Sequence, residues 1–526
     1  MSWSEPLFTL LLSLVPFVLG MGAVTSARQS ESQAWQTARL ATLGGLLLAL
    51  LLVLAGVSGA MPAVVGWWQT TPLHLIMLLL ASFISFIVVR YSATYLRGEP
   101  RQQRFVMLAQ TVFAAVSVAV LSDHLVLFLV AWLIIGLSMH QLLMFYPHRP
   151  RAALAAHKKF LFARGAELCV LAAFVLLYLH HDSARISVIT SAYAAPAEPL
   201  SVSEQAAACL LGLAALIKCA QLPLHGWLIQ VVEAPTPVSA ALHGGVINLG
   251  GYLLILFSPL LLQSTPAQAL ILVVAGISSV LAALIMMTRI SIKVRLAWST
   301  SAQMGLMLVE IALGLIELAM LHLLAHSCYK AYAFLSSGEA VQQNLLRHRA
   351  PARRPSRVEW IMAGIISVAM VAGLAVVAKY ATDSTAFEMM SPWVLLTLAL
   401  TAMLAERRGQ PGSGSGLRFI GLAALVVLTY FGLKSLFAAL LPTVEHTASV
   451  WADLWVSLLF VLLFAGYCLQ RYGLHLGWVQ KLNLYCYAGF YLDEWVTKNT
   501  LKFWPHRLPG RINAKQLHAA SREGSQ

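Results

Sequence analysis

LGLAALIKCAQLPLHGWLIQVVEAPTPVSAALHGGVINLGGYLL, from Leu211 to Leu254, is an apolar run that nevertheless carries Lys218, His225, His243, Glu233 and three prolines, Pro223, Pro235 and Pro237. A lysine at the centre of a bilayer costs roughly 2.5–3.5 kcal/mol on insertion scales, so an ionisable group in such text reads as functional. Lys218 follows Leu211 with only apolar residues and glycine between. Each proline removes a helical N–H, which is tolerated at membrane depth only where protein or a wet cavity satisfies the freed carbonyls. The stretch predicts a broken helix beside a hydrated path.

The rest of the chain supports a membrane setting. Its 526 residues are 59% hydrophobic and 11% charged, with a mean hydropathy of +0.77, a composition no soluble domain shows. Leu40–Leu54, Leu73–Val89 and Ile420–Leu433 contain no Lys, Arg, Asp or Glu. Apolar stretches of this kind predict a polytopic all-α bundle of about fifteen spans. The net charge of +14 would suit a nucleic-acid partner, but its distribution argues against one. Of the 35 lysines and arginines, 30 fall at the exits of odd-numbered spans, Arg185 alone at an even one, and Lys218, Lys330, Lys379 and Lys434 within spans. The positive-inside rule then predicts an inner-membrane protein with its N-terminus outside and its C-terminus in the cytoplasm. The first span, Pro6–Val24, follows Glu5 and no basic residue, so it is expected to be retained rather than cleaved. The six cysteines show no C-x-x-C spacing and read as small buried hydrophobes, with no metal or cofactor expected in this chain.

Further ionisable groups sit in apolar text. Basic HRPRAALAAHKK reads as a loop after the fifth span; Arg164 and Glu167 follow, three residues apart on one helical face. His322, His326 and Lys330 are spaced four and four, a stripe of protonatable groups on one helix face, and such chains mark proton relays. Glu310 on the preceding helix is a candidate counter-charge for one of the lysines. Lys379 stands near the outer end of its span and Lys434 near the middle of another. Gly244, Gly245, Gly250 and Gly251 allow close helix approach around His243 and Asn248. The tail from Arg471 carries eight Lys or Arg against three acids, with many aromatics, and is expected to lie on the inner leaflet or dock a cytoplasmic partner.

KCAQLPLHGWLIQVVEAPTPVSAALH from Lys218, AWSTSAQMGLM from Ala297, and HLLAHSCYKAYAFLSSG ending at Gly338 closely resemble the antiporter-like membrane subunits of respiratory complex I and of Mrp cation antiporters. The likeness runs over roughly 104–379 and implies two inverted five-helix repeats with broken helices. It divides the chain into scaffold helices (1–103), a first repeat (104–260), a second repeat (261–405), C-terminal helices (406–470) and a basic aromatic tail (471–526). Lys218 then matches the family's broken-helix lysine, His243 the histidine of the next helix, His322, His326 and Lys330 the central stripe, and Lys379 the lysine of the second broken helix. One departure is large: the family glutamate that follows a tryptophan on the fifth span is Leu133 here, after Trp132. Glu310 or Glu167 is the candidate replacement.

Within that family, HGWLIQVVEAPTPV and GVINLGGYLL look most like the DabB membrane subunits of inorganic-carbon accumulation complexes. That likeness implies a non-enzymatic subunit conducting protons or another cation, and a large peripheral cytoplasmic DabA-like partner that holds zinc and resembles a carbonic anhydrase. A lysine caught between desolvation and a nearby carboxylate can give up and retake a proton as its surroundings change, and histidine suits the steps between. The rival expectation is a cation/proton antiporter subunit of an Mrp-like or hydrogenase assembly. A quinone-oxidoreductase subunit with its own redox centre is disfavoured, because no cysteine ligand set or G-x-G-x-x-G turn is present.

Overall fold

A computed structural model describes residues 4–146, 149–194, 199–342, 345, 355–381, 389–406, 413–441 and 449–503. Six helices open the chain: α1 (Ser4–Ser26), α2 (Glu31–Val57), α3 (Pro72–Tyr95), α4 (Gln102–Leu121), α5 (Leu125–Leu143) and α6 (Pro150–His181). A two-stranded hairpin, β1 (Val64–Val65) and β2 (Trp68–Gln69), precedes α3, and α7 (Ile186–Ala192) follows α6. Buried Asp123, in the turn between α4 and α5, ties these connections together. It accepts from Gln69 Nε2 (2.6 Å), Ser187 N (2.7 Å) and Ser187 Oγ (2.9 Å), and Arg185 stands 3.6 Å away. A buried carboxylate needs such partners, and here they fix three loops at one end of the bundle.

The broken segment comes next. α8 (Val202–Lys218) ends at Lys218, and the chain turns through Ala220 and a cis Leu222–Pro223 peptide into α9 (Gly226–Gln230). Ala220 takes φ +51°, a left-handed conformation that costs an L-residue roughly 1–2 kcal/mol. Its carbonyl accepts from Ser301 Oγ (2.8 Å), while Gln221 N donates to Leu216 O (3.0 Å) and Gln221 Nε2 to Cys219 O (2.8 Å). The break is thus satisfied by protein groups. Pro235 and Pro237 do not break a helix: they start one, α10 (Thr236–Gly244), where a missing N–H has no partner to lose. The second interruption lies instead at Gly245, between α10 and α11 (Leu249–Leu256).

The short α12 (Ser258–Leu261) leads to α13 (Thr265–Met287), α14 (Ile292–Ala312) and α15 (Ile316–Leu335). Then come α16 (Arg357–Ala381), α17 (Ser391–Ala405), α18 (Ser413–Leu440) and α19 (Val450–Tyr472), and in the tail α20 (Gly477–Ala488) and α21 (Leu492–Phe503). Among the described residues, 11 helical spans are long and apolar enough to cross a membrane. α8 and α17, at 17 and 15 residues, are shorter than those spans. α14 and α15 have the length but carry polar side chains along it, which lowers their hydropathy. One apolar core runs from α1 through α15; a second joins α16, α17 and α18; a third, around Ile285, Trp298 and Cys486, holds the tail against the bundle.

Two expectations about surface segments change. HRPRAALAAHKK is mostly not a loop: α6 starts at Pro150, so Lys158 and Lys159 are helical and buried. Proline suits the first helical position and the alanines that follow favour helix, which extends α6 past the basic residues. The tail, expected on a leaflet or a partner, folds in part on its own chain. Asp493 Oδ1 lies 2.7 Å from Lys158 Nζ, Asp493 Oδ2 accepts from Gln230 Nε2 (2.8 Å), and Arg289 donates to Cys486 O (3.3 Å).

Candidate ion-transfer site

The first cluster forms where α8 stops. Lys218 is the last residue of α8, and a cation is favoured at a helix C-terminus. Its Nζ lies 4.4 Å from the centre of the Trp132 ring, a cation–π contact worth roughly 2 kcal/mol when desolvated. Lys218, Lys159, Trp132, Trp227, Leu242 and Ile247 are among the residues lining a cavity of about 20 Å³, enough for a single water. Lys159 donates to Gly136 O at 2.6 Å.

Of the two candidate carboxylates for the position vacated at Leu133, Glu167 is the one that lies at this cluster. Glu167 on α6 is 6% exposed, bonds Arg164 at 2.6 Å, and its carboxylate acts electrostatically on both Lys218 and Lys159. It fits because Gly136, one turn on from Leu133, has no side chain: a Cβ there would lie 2.8 Å from Glu167 Oε1. The carboxylate thus arrives from α6 at nearly the place a side chain of α5 would occupy. Three cations then share one carboxylate. In a low-dielectric interior one carboxylate only partly offsets the charge of three cations. Glu310, the other candidate, is elsewhere.

The second cluster lies between α10, α14 and α15. His243 is fully buried, stacked on Phe334 with ring centres 4.3 Å apart, and its Nδ1 meets Thr300 Oγ1 at 3.1 Å. Thr300 Oγ1 donates to Leu296 O (3.0 Å), and fully buried Lys330 donates to the same carbonyl (2.9 Å). His243 and Lys330 are thereby joined through one backbone oxygen. Beyond Lys330 stands His326, buried, and neither of its ring nitrogens has a hydrogen-bond partner among the described residues. Buried polar groups are as a rule satisfied, so this imidazole is an exception among the described residues.

His326 and His322 have ring centres 6.3 Å apart. His322 Nδ1 meets Glu310 Oε2 at 2.9 Å and Nε2 meets Gln303 Oε1 at 2.8 Å, so both ring nitrogens have partners. Glu310 is therefore the partner of a histidine and not of a lysine. The line continues toward α18: Tyr430 lies within electrostatic reach of Glu310 and Glu317, and Lys434 Nζ is 3.8 Å from Glu317 Oε1. Lys434 thus belongs near the end of its helix, as a partner of Glu317, and not at mid-span. α16 is continuous over Arg357–Ala381; the side chain of Lys379 lies outside the described residues.

No hydrogen bond joins the two clusters among the described residues. α10 separates them, with Leu242 on the Lys218 cavity and His243 facing Thr300. Sequence reasoning named Lys218, His243, His326 and Lys330; the structure sets Lys159, Thr300 and Gln303, which it did not name, beside the two clusters. The lysine was hidden by reading its segment as a loop; nothing distinguishes the other two from ordinary polar helix residues. A further group of ligand-type atoms, from His180, His181 and Glu204, lies within 4.8 Å of one another. Tyr193 closes it, accepting from His181 (2.6 Å) and donating to Glu204 (2.8 Å). Burial and the Glu204 carboxylate push the Tyr193 hydroxyl above the ordinary phenol range, so it stays a donor.

Comparison with known proteins places this arrangement. The family described as NADH:quinone oxidoreductase/Mrp antiporter, TM, matches residues 122–406, and the N-terminal family of complex I chain 5 matches 68–106. A probable inorganic carbon transporter subunit DabB of Hydrogenovibrio crunogenus is 46% identical over 522 residues, covering 98% of each chain. The chain belongs to the DabB branch of the NADH:quinone oxidoreductase/Mrp antiporter family. A second DabB-branch protein, probable subunit DabB2 of Halothiobacillus neapolitanus, is 36% identical over 96% of each chain. The fold is shared with a chain of the Mrp complex from Dietzia sp., at a TM-score of 0.58 and 22% identity, over 98% of this chain and 59% of that one. The family's matched segment holds both clusters and leaves Lys434 and Asp493 outside it.

Proposed function

We propose that this DabB-branch chain is the ion-conducting membrane subunit of an inorganic-carbon accumulation complex. Protons or another cation pass between the Glu167–Lys218 cluster and the His243–Lys330–His326–His322–Glu310 line, and their flow drives a peripheral, zinc-bearing, carbonic-anhydrase-like subunit on the cytoplasmic side. The observation that carries the reading is the second cluster: five ionisable groups on three packed helices, with His243 and Lys330 meeting through Thr300 and Leu296 O, and His322 paired with Glu310 beyond His326. Packing alone gives no reason to keep them there, since each would be cheaper as a hydrophobe. The membrane potential supplies about 2.3 kcal/mol per charge per 100 mV, enough to bias each transfer. α10, interrupted at Gly245 between the clusters, is the element whose rearrangement would connect them.

The test is bicarbonate uptake in a host that depends on the complex. Lys330→Ala is expected to abolish uncoupler-sensitive uptake, while a zinc-containing soluble chain still co-purifies with the membrane subunit. Normal uptake would remove this line as the path. Uptake lost, with small membrane subunits co-purifying in place of one zinc protein, would move the assignment to a cation/proton antiporter assembly.

A further inference from the structure

The tail carries a feature that the ion path leaves unused. Lys158 is fully buried, and its Nζ is held by two tail residues, Asp493 Oδ1 at 2.7 Å and Thr497 Oγ1 at 2.9 Å. Asp493 itself is 25% exposed, so one side of its carboxylate meets solvent and the other a buried ammonium. Its remaining oxygen accepts from Gln230 on α9. The approach is so close that a Cβ on Gly226 would lie 1.5 Å from Asp493 Oδ1. Only glycine admits the carboxylate here.

The residues that touch Asp493 are chain neighbours of residues that line the Lys218 cavity. Lys158 meets Asp493, and Lys159 lines the cavity; Gly226 meets Asp493, and Trp227 lines the cavity. In both α6 and α9, consecutive residues thus meet the carboxylate and line the cavity. The charge bias of the sequence puts this side toward the cytoplasm.

We propose that Asp493 is the cytoplasmic port of the ion path, a carboxylate that exchanges protons between bulk water and the Lys218 cluster. This rests on the proposed function and extends it. A proton taken from water by the Asp493 carboxylate passes to the Lys158 amine after that group has released its own proton inward, leaving the carboxylate and the ammonium as they began. One proton has then moved from the cytoplasm to a Lys218-cluster amine, or the reverse. The charged and titratable groups around the carboxylate are Lys158 on α6, His225 in the break, Arg289 between α13 and α14, and Glu494 beside it on α21. The carboxylate comes from a part of the chain outside the family's matched segment, so the port is carried by the tail and not by the antiporter-like core.

The experiment uses the full chain with its partner, in uptake-dependent cells. Asp493→Asn keeps the size of the side chain and an oxygen for Lys158 but cannot take a proton. Uptake should fall about tenfold or more, as when an acid–base group is removed, and should lose its dependence on cytoplasmic pH. The tail should stay as resistant to trypsin as in the parent. Gly226→Ala, which displaces the same carboxylate without removing it, should give the same loss. Unchanged uptake in Asp493→Asn overturns the port. So does raised uptake, which would make Asp493 a latch, and so does lost uptake with a trypsin-sensitive tail, which would make it a docking residue. Lys330→Ala run alongside separates the two levels: normal uptake in both variants refutes the ion path itself, whereas loss in Lys330→Ala alone refutes only the port.

Discussion

Leu133 occupies the place of an acidic residue, yet the lysine it would have served is not left without a carboxylate. Glu167 reaches the cluster because Gly136 leaves room on α5, where a Cβ would lie 2.8 Å from Glu167 Oε1. Removing one charge from a buried, hydrogen-bonded set leaves the others uncompensated, at a cost of about 3–5 kcal/mol unless a proton is shed. Glu167→Gln is therefore expected to lower bicarbonate uptake about tenfold or more with the protein still present in the membrane, because the cluster sheds a proton in preference to unfolding. Adding Leu133→Glu to that variant should return part of the uptake, since Leu133 is one turn from Gly136 on the same helix. No recovery would show that Glu167 serves Arg164 alone. The signal for this replacement was present in the sequence as a glycine three residues after Leu133, but a glycine in a span has many uses. Only the approach of α6 gives it this one.

At the scale of elements, the break after Lys218 was legible because a lysine and a proline five residues apart are both costly in an unbroken membrane helix. The roles of Pro235 and Pro237 were not: a proline inside a helix and a proline at its first turn look alike until the helix start is known. The interruption at Gly245 lacks any such marker, since four glycines stand within eight residues. Gly250 shows what those glycines do, as a Cβ there would stand 2.6 Å from Cys219 Sγ and 3.1 Å from Ala215 O. It lets α11 press against the end of α8 beside Lys218. Gly250→Ala should destabilise the detergent-solubilised protein by about 1–3 kcal/mol through overpacking, read as a lower thermal midpoint. Cys219→Ala in the same chain removes the sulfur but not the carbonyl, so it should restore part of the loss. Additive losses in the double variant would mean that Gly250 is needed for backbone freedom and not for this contact.

For the whole molecule, two ion pairs join helices of the family's matched segment to residues outside it, Lys158 to Asp493 in the tail and Glu317 to Lys434 on α18. Apolar length made the bundle readable, but it does not report which distant helices share a face, and so the Lys158–Asp493 and Glu317–Lys434 contacts were hidden. Glu317 and Lys434 are 3.8 Å apart, with side chains 23% and 20% exposed. A partly solvated pair at that distance contributes only about 0–1 kcal/mol to stability. If it is kept for stability, removing it changes little; if it ends the ion line, removing it changes transport without changing the fold. Lys434→Met is accordingly expected to leave the thermal midpoint of the purified complex within a few degrees of the parent while bicarbonate uptake falls several-fold. Exchanging the charges, Glu317→Lys with Lys434→Glu, tests the same point from the other side. The exchange preserves an ion pair but reverses the order of acid and base along the line from Glu310 and Tyr430, so a clasp would tolerate it and a transfer route would not. Full uptake in the exchanged chain would therefore end the line at Glu310 and leave α18 as packing.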